Sequence, residues 1–146
     1  RTPFPRAWTI ENNWQGAQDS PFGATHAKFS GTPVLQNFSR SITSPDFDTS
    51  SCTAIKLNFS WRYFHQSGSA PHSGVKLHAE YSTDGGKSWS GAFSYDTGGG
   101  DTSIVNESIK VNSLAGSAKA RIRFRVEGDT SANLNRFQID NVSVEP

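Results

Sequence analysis

Apolar and polar residues alternate with a period of two along much of this chain. The clearest case lies between residues 120 and 126, where three apolar side chains alternate with three arginines: Arg121, Ile122, Arg123, Phe124, Arg125 and Val126. This period is typical of a β-strand with one buried face and one solvent-facing face. We therefore expect the apolar side chains in a core and the three guanidinium groups in a row on the opposite surface.

Similar alternating segments recur between runs of Gly, Ser, Asn and Asp, and no segment has apolar residues at helical spacing over three turns. The predicted strands span residues 7–11, 25–30, 35–42, 53–65, 74–83, 92–96, 103–111, 119–127 and 136–144. Strands in this number, some of them long, favour two packed antiparallel sheets. We predict an all-β chain that forms one antiparallel two-sheet β-sandwich over residues 1–146, with rim loops at 66–73 and 97–102.

The composition limits the classes of function. The chain has 146 residues with 14 Lys and Arg against 13 Asp and Glu, which argues against a general nucleic-acid binder because such domains are markedly basic. The single cysteine, Cys52, excludes an internal disulfide, and no apolar run reaches the length of about 18 residues that spans a membrane. The chain starts at Arg1 without a leader, so we expect a module of a larger protein.

The segment from Ser82 to Trp89 predicts a tight hairpin turn. It has the sequence Ser-Thr-Asp-Gly-Gly-Lys-Ser-Trp, which resembles the Asp-box of sialidases, and Asp84, Gly85 and Gly86 suit a turn with positive φ. One copy in a chain of this length is too little for a propeller. We therefore expect a structural turn with Trp89 packed beneath it.

Four short motifs together carry a resemblance to a known group of modules. They are Phe4-Pro5-x-x-Trp8, Ser44-Pro45, the turn 82–86, and the C-terminal Ile139-Asp140-Asn141-Val142-x-Val144. Together they resemble the jelly-roll adhesin modules of secreted bacterial proteins, the cleaved-adhesin and MAM-like families, which share their architecture with many carbohydrate-binding modules. The resemblance implies jelly-roll topology, a secreted or cell-surface location, a monomer, and a non-catalytic binding role.

The same resemblance implies a structural calcium ion. Its ligands would be Glu11, Asn13 and Asp140, because such modules combine acidic residues after the first strand with the terminal Asp. Here Asn12 and Asn13 stand where further carboxylates would be, and fewer charges weaken calcium binding. The alternative is that backbone amides satisfy Asp140.

Basic residues occupy the outward positions of several predicted strands. With one aromatic neighbour, the set comprises Arg62, Phe64, Lys76, His78, Arg121, Arg123 and Arg125. If these strands share a sheet, the residues form a cationic surface suited to sulfate or carboxylate groups, which arginine binds in a bidentate manner. The alternative is a solvated face in which Glu80 and Glu127 balance the charge.

Aromatic residues in or beside loops are candidates for stacking on sugar rings. Trp14, Trp89 and Tyr95 lie in such positions, and rigid aromatics lose little entropy on binding. The alternative is that Trp14 and Trp89 close the ends of the sandwich.

We expect a non-catalytic module that binds a polysaccharide, in particular an anionic one, as part of a multidomain secreted enzyme or adhesin. The chain shows no paired carboxylates, nucleophile elbow or phosphate-binding loop, which disfavours a lyase or glycosidase. The alternative is a protein-contacting accessory domain of a secreted peptidase or surface protein.

Overall fold

Ten β-strands account for most of the backbone that the structure describes. A computed structural model describes residues 5, 7–20, 22–23, 25–68 and 73–146; Phe4 and residues 69–72 of the first predicted rim loop lie outside these residues. Within them the strands are β1 (Thr9–Ile10), β2 (Trp14–Ala17), β3 (His26–Ser30), β4 (Gln36–Thr43), β5 (Lys56–His65), β6 (Val75–Ser82), β7 (Ser90–Asp96), β8 (Val105–Lys110), β9 (Arg121–Thr130) and β10 (Leu134–Glu145). Short 3₁₀ turns occupy Thr97–Gly99 and Asn112–Leu114, and no described helix is long and apolar enough to cross a membrane.

The strands form two five-stranded antiparallel sheets that pack face to face. The front sheet has the order β1-β4-β9-β6-β7, and the back sheet has the order β2-β3-β10-β5-β8. Every described pair of neighbouring strands is antiparallel. The predicted two-sheet antiparallel β-sandwich with jelly-roll topology is confirmed.

The alternating residues of β9 face the core and the solvent as predicted. Ile122, Phe124 and Val126 are buried, with at most 2% of their surface exposed, because β9 lies between β4 and β6 in the middle of the front sheet. The Phe124 ring meets the Phe59 ring of the back sheet edge-on, with ring centres 5.1 Å apart. The arginines of β9 therefore project from the outer surface of the front sheet.

One strand was missed in the sequence, and the first predicted strand was too long. The predicted strand 7–11 is only Thr9–Ile10, and the unpredicted β2 follows at Trp14–Ala17. β2 is short, contains Gly16 and follows two asparagines, a composition typical of a turn. It forms because it pairs with β3 and completes an edge of the back sheet. The pattern of residues within 14–17 does not reveal this pairing.

Gly31 provides a test of how tightly the end of β3 packs. A Cβ atom at this position would lie 1.8 Å from the Leu134 carbonyl oxygen, whereas a Cβ at Gly91 would meet nothing within 4 Å. We expect Gly31→Ala to lower the free energy of unfolding by about 3 kcal/mol or more, as overpacking against backbone does. Gly91→Ala should change it by less than about 0.5 kcal/mol. Urea denaturation measures both, and equal effects would contradict the packing.

Candidate ligand-binding surface

The predicted basic residues lie on two opposite surfaces. Arg62 and Phe64 belong to β5 of the back sheet, whereas the others belong to β6 and β9 of the front sheet: Lys76, His78, Arg121, Arg123 and Arg125. The condition for a single cationic surface, that these strands share one sheet, is therefore not met. The reason is strand order, since β5 pairs with β10 and β8 while β9 pairs with β4 and β6.

The outer surface of the front sheet is here called the arginine face. It comprises Ser39, Ser41 and Thr43 of β4, Lys76, His78 and Glu80 of β6, and Arg121, Arg123, Arg125 and Glu127 of β9. In the antiparallel register Arg123 lies between Thr43 and Glu80, and Arg125 lies between Ser41 and His78. Guanidinium, carboxylate and hydroxyl groups therefore alternate across this surface.

Glu80 is the central residue of the arginine face. Its side chain is only 10% exposed, and Oε1 accepts a hydrogen bond from Arg123 Nε at 2.7 Å. Arg125 donates to both of its oxygens, from Nε at 3.0 Å and from Nη2 at 2.8 Å. Burial raises the pKa of Glu80, but the hydrogen bonds and charges of the two arginines outweigh it and lower the pKa below its ordinary value.

Other carboxylates pair with further basic residues of this surface. Glu127 contacts His78 at 2.5 Å and Arg125 at 3.4 Å, and its pKa is lowered chiefly by the His78 hydrogen bond. Arg121 pairs with Asp46. The arginine face is thus a network of ion pairs, as in the alternative interpretation of the sequence, and its positive charge is largely balanced.

Arg123 is fixed on two sides and open on the third. Its Nε is bound to Glu80, and its guanidinium carbon lies 4.2 Å from the centre of the Trp89 ring. Its two terminal nitrogens have no hydrogen-bond partner among the described residues. Arg123 lines an open groove of about 360 Å³ together with Thr9, Glu11, Ser41, Thr43 and Arg125.

The turn after β6 positions Trp89 beside this groove. The Ser82 hydroxyl donates to Asp84 Oδ1 at 2.7 Å, and the Ser88 amide donates to the same oxygen at 2.9 Å. The Ser88 hydroxyl also donates to Asp84 Oδ2 at 2.5 Å. This side-chain bond is the largest cause of the pKa of Asp84 lying far below its ordinary value, followed by the Ser82 hydroxyl and the Ser88 amide. Gly85 and Gly86 have positive φ and join the antiparallel pair β6 and β7, so the predicted hairpin turn is confirmed.

The prediction that Trp14 stacks on sugars is wrong. Trp14 is only 3% exposed, packs edge-on against Phe29, and donates from Nε1 to the Arg40 carbonyl at 3.0 Å. It is a core residue because β2, the strand that carries it, lies against β3. Tyr95 is half-buried in the aromatic core, 4.6 Å from the Trp61 ring centre, and burial raises its pKa.

The residues implied as calcium ligands do not converge. Asn13 lies beside Ser30 of β3. Ile139 pairs with Ala27 of β3, so Asp140 lies level with His26. The two candidate ligands are therefore four residue positions apart, or about 13 Å along the strands. Calcium ligands lie only about 2.3–2.6 Å from the ion. Glu11 Oε1 instead accepts a hydrogen bond from the Ser41 amide. Asn13 Oδ1 is buried without a hydrogen-bond partner, but the distance between Asn13 and Asp140 means that these three residues do not fit one ion.

No alternative cluster replaces this set within the described part of the chain. No group of three His, Cys, Asp or Glu side chains there could hold a metal ion. Calcium binding as such stays a prediction from the resemblance, without an assigned site.

On the back sheet, Arg62 and Phe64 meet a residue that sequence reasoning missed. The guanidinium carbons of Arg62 and Arg136 each lie 3.9 Å from the centre of the Phe64 ring, and we call these three residues the Phe64 cluster. Arg136 occupies an outward position of the alternating segment 136–144, but only the pairing of β10 with β5 places it opposite Phe64. The predicted rim loop 97–102 is fastened beside the cluster, since Arg62 Nε donates to the Thr102 carbonyl at 2.7 Å.

Comparison with known proteins identifies relatives in family and fold. The protein-family model for Reelin subrepeat B matches residues 23–145. A comparison with curated protein sequences finds no match. Among solved structures, the K1 cleaved adhesin domain of Lys-gingipain from Porphyromonas gingivalis W83 superimposes with a TM-score of 0.69 at 11% identity, over 98% of this chain and 92% of that chain.

Two further solved structures share the fold. The carbohydrate-binding module CBM27-1 of Caldicellulosiruptor saccharolyticus, solved in complex with mannohexaose, has a TM-score of 0.61 and 11% identity over 95% of this chain and 85% of that one. An arabinose-bound α-L-arabinofuranosidase has a TM-score of 0.66 and 15% identity over 97% of this chain, which spans only 23% of that enzyme. At these identities the comparisons confirm, at the level of fold, the resemblance to adhesin and carbohydrate-binding modules.

The Glu80 network predicts a pH dependence of stability. Because its pKa is lowered from 4.5 in the folded state, Glu80 contributes stability that is complete above that value and is lost as the pH falls through the folded pKa. Glu80→Gln should cost about 2 kcal/mol near pH 7, and its difference from the native protein should shrink toward pH ~3. Urea denaturation at both pH values checks this.

Glu127→Gln is the matched control for that experiment. The Glu127 carboxylate is 41% exposed, so its loss should cost less than about 1 kcal/mol. A Glu80→Gln effect that is equally small, or that does not change with pH, would contradict the central role of Glu80.

The register also predicts the outcome of removing Asp140. Asp140→Asn should change the free energy of unfolding by less than about 0.5 kcal/mol, in calcium chloride and in a chelator alike, because Asp140 shares no site with Glu11 and Asn13. Thermal melts measure this, since an ion that binds only the folded state raises the melting temperature. If calcium stabilises the native protein and Asp140→Asn removes that effect, the site implied by the resemblance is correct.

Proposed function

We propose that this chain, which belongs to the Reelin subrepeat B family, is a non-catalytic polysaccharide-binding module whose binding site is the groove of the arginine face. Its fold is shared with a module solved with mannohexaose and with an adhesin domain, which supports a binding role. We further propose that it functions as an appendage of a secreted or cell-surface protein.

The observation that carries this proposal is the arrangement of Arg123. Glu80 and Trp89 hold its guanidinium plane, so little side-chain entropy remains to be lost when a ligand binds. Its open edge presents two parallel N–H donors, which match a carboxylate or a pair of neighbouring sugar hydroxyls. The hydroxyls of Thr9 and Thr43 line the same groove and supply further polar contacts to a sugar.

The charge balance of the arginine face narrows the ligand class. Glu80, Glu127 and Asp46 already neutralise most of the positive charge, so a densely sulfated chain would meet carboxylates as well as arginines. A polysaccharide with isolated carboxylates, such as a uronic-acid polymer, needs only one open guanidinium edge. We therefore propose a uronic-acid polysaccharide as the ligand.

The state of Glu80 supports a role without catalysis. Glycoside hydrolysis requires a carboxylic acid whose pKa is raised so that it can donate a proton. The two arginines lower the pKa of Glu80 instead, so this carboxylate is a poor proton donor near neutral pH.

Replacing Arg123 tests the groove. In native gels containing polygalacturonic acid, the protein should be retarded, and Arg123→Gln should weaken binding about tenfold or more through loss of charge-assisted hydrogen bonds. Arg121→Gln is the matched control, because Arg121 lies on the same strand but pairs with Asp46 and does not line the groove. A neutral mannan in parallel gels tests whether the carboxylates matter.

Different results would point elsewhere. Retardation by mannan alone would reject the anionic ligand but keep the groove, provided that Arg123→Gln weakens the retardation. No retardation by any polysaccharide would reject the proposed function and favour the alternative of a protein-contacting domain.

A further inference from the structure

A large open cavity lies at the end of the front sheet where β9 begins. It has a volume of about 760 Å³, and its lining includes Thr83, Lys87, Ser117, Lys119 and Arg121. The turn after β6 forms one wall and the loop before β9 forms another. We call this site the lysine cavity.

The lysine cavity is adjacent to the groove along β9. Arg123 lines the groove and Arg121 lines the cavity, and the two residues occupy successive outward positions of the strand, about 7 Å apart. Lys119 precedes Arg123 by four residues, which is about 13 Å of extended chain. A linear ligand that lies along β9 can therefore contact both sites.

The turn after β6 packs against both sites. Trp89 lies over the Arg123 guanidinium group, with 4.2 Å between the guanidinium carbon and the ring centre. Gly86 has a φ of 90°, and a Cβ atom there would lie 3.5 Å from Trp89 Cζ2 and 3.4 Å from Arg121 Nη1. The bare backbone at Gly86 is thus close to side chains of both sites, so one turn borders the groove and the cavity.

The two lysines supply the unpaired positive charge of the cavity. Arg121 pairs with Asp46, so these two residues together add no net charge. The ammonium groups of Lys87 and Lys119 have no ion-pair or hydrogen-bond partner among the described residues. Both lysines are exposed, and both are therefore free to bind an anionic ligand.

Asp84, the second carboxylate of the cavity, is engaged within the turn. Its Oδ1 accepts hydrogen bonds from the Ser82 hydroxyl at 2.7 Å and the Ser88 amide at 2.9 Å. Its Oδ2 accepts from the Ser88 hydroxyl at 2.5 Å. Three cations and two carboxylates line the cavity, which leaves an excess of one positive charge and favours an anion.

The other end of β9 is less suited to an anionic chain. Beyond Arg125 the next outward residue is Glu127, whose carboxylate is 41% exposed. An anionic chain that extends from Arg123 in that direction meets a carboxylate, whereas one that extends toward Arg121 meets the two lysines. The charges therefore give an anionic chain one favoured direction along the strand.

We propose that the lysine cavity is a second subsite for the same uronic-acid polysaccharide, an inference that rests on the proposed function of the groove. The carboxylate of one sugar binds the open edge of Arg123, and carboxylates of later sugars in the same chain bind Lys119 and Lys87. Because the contacts belong to one chain, those in the cavity form at a high effective concentration and raise the affinity.

Calorimetric titration of the native protein with oligogalacturonates of increasing length tests this subsite. Digalacturonic acid is too short to reach the lysines from Arg123 and should bind in the groove alone. The affinity should rise with length and stop rising once the oligomer fills the cavity. Fully methyl-esterified oligomers keep the sugar backbone but lack its charge, so their affinity should not rise with length.

Lysine variants separate the subsite from the groove. Lys87→Gln and Lys119→Gln should each weaken the binding of octagalacturonic acid about two- to fivefold, and the double variant about tenfold, as the loss of exposed ion pairs does. Each variant should bind digalacturonic acid as the native protein does. Lys110→Gln is the matched control, because Lys110 is an exposed lysine of β8 on the back sheet.

Three results would reject the subsite: an affinity that does not rise with length, the same rise with methyl-esterified oligomers, or a double lysine variant that binds octagalacturonic acid no more weakly than Lys110→Gln. The groove still stands in these cases if Arg123→Gln weakens the binding of digalacturonic acid. If no oligomer binds the native protein, the proposed function fails and the subsite fails with it.

Discussion

The contact of one buried carboxylate with two arginines determines the character of the front sheet. Glu80 binds Arg123 and Arg125 together, so the row of guanidinium groups on β9 does not act as a uniform positive surface. Arg125 binds Glu80 through both Nε and Nη2, whereas Arg123 binds it through Nε alone and keeps an open edge. Neutralisation and preorganisation are therefore two results of a single interaction, and the proposed groove depends on both.

Much of the fold can be predicted from the sequence because the period of two can be recognised within each strand, without knowledge of its neighbours. Ile122, Phe124 and Val126 are buried as their spacing predicts, and most strand segments lie within a few residues of their expected bounds. β2 is the exception, because its existence depends on pairing with β3 and not on its own residues. Trp14 shows the same limit, since a position beside a turn does not reveal whether a side chain faces the core.

The candidate sites are less accessible to sequence reasoning because they depend on strand order. Glu80 is 43 residues from Arg123 along the chain, and no period within either strand shows that they are neighbours. Arg62 and Arg123 have equivalent outward positions in their own strands but lie on opposite sheets. Arg136 lies at an outward position of its alternating segment, and only the pairing of β10 with β5 places it opposite Phe64.

The near-zero net charge of the chain hides two different local arrangements. On the front sheet, carboxylates and guanidinium groups are paired. On the back sheet, two guanidinium groups share the Phe64 ring, and Asp19, which lies 3.9 Å from Arg136, also pairs with Lys28. The hydrophobic core separates these surfaces by about 10 Å of packed side chains, beyond most of the range of screened surface charges in physiological salt. The charges of one surface therefore have little effect on ligand binding at the other.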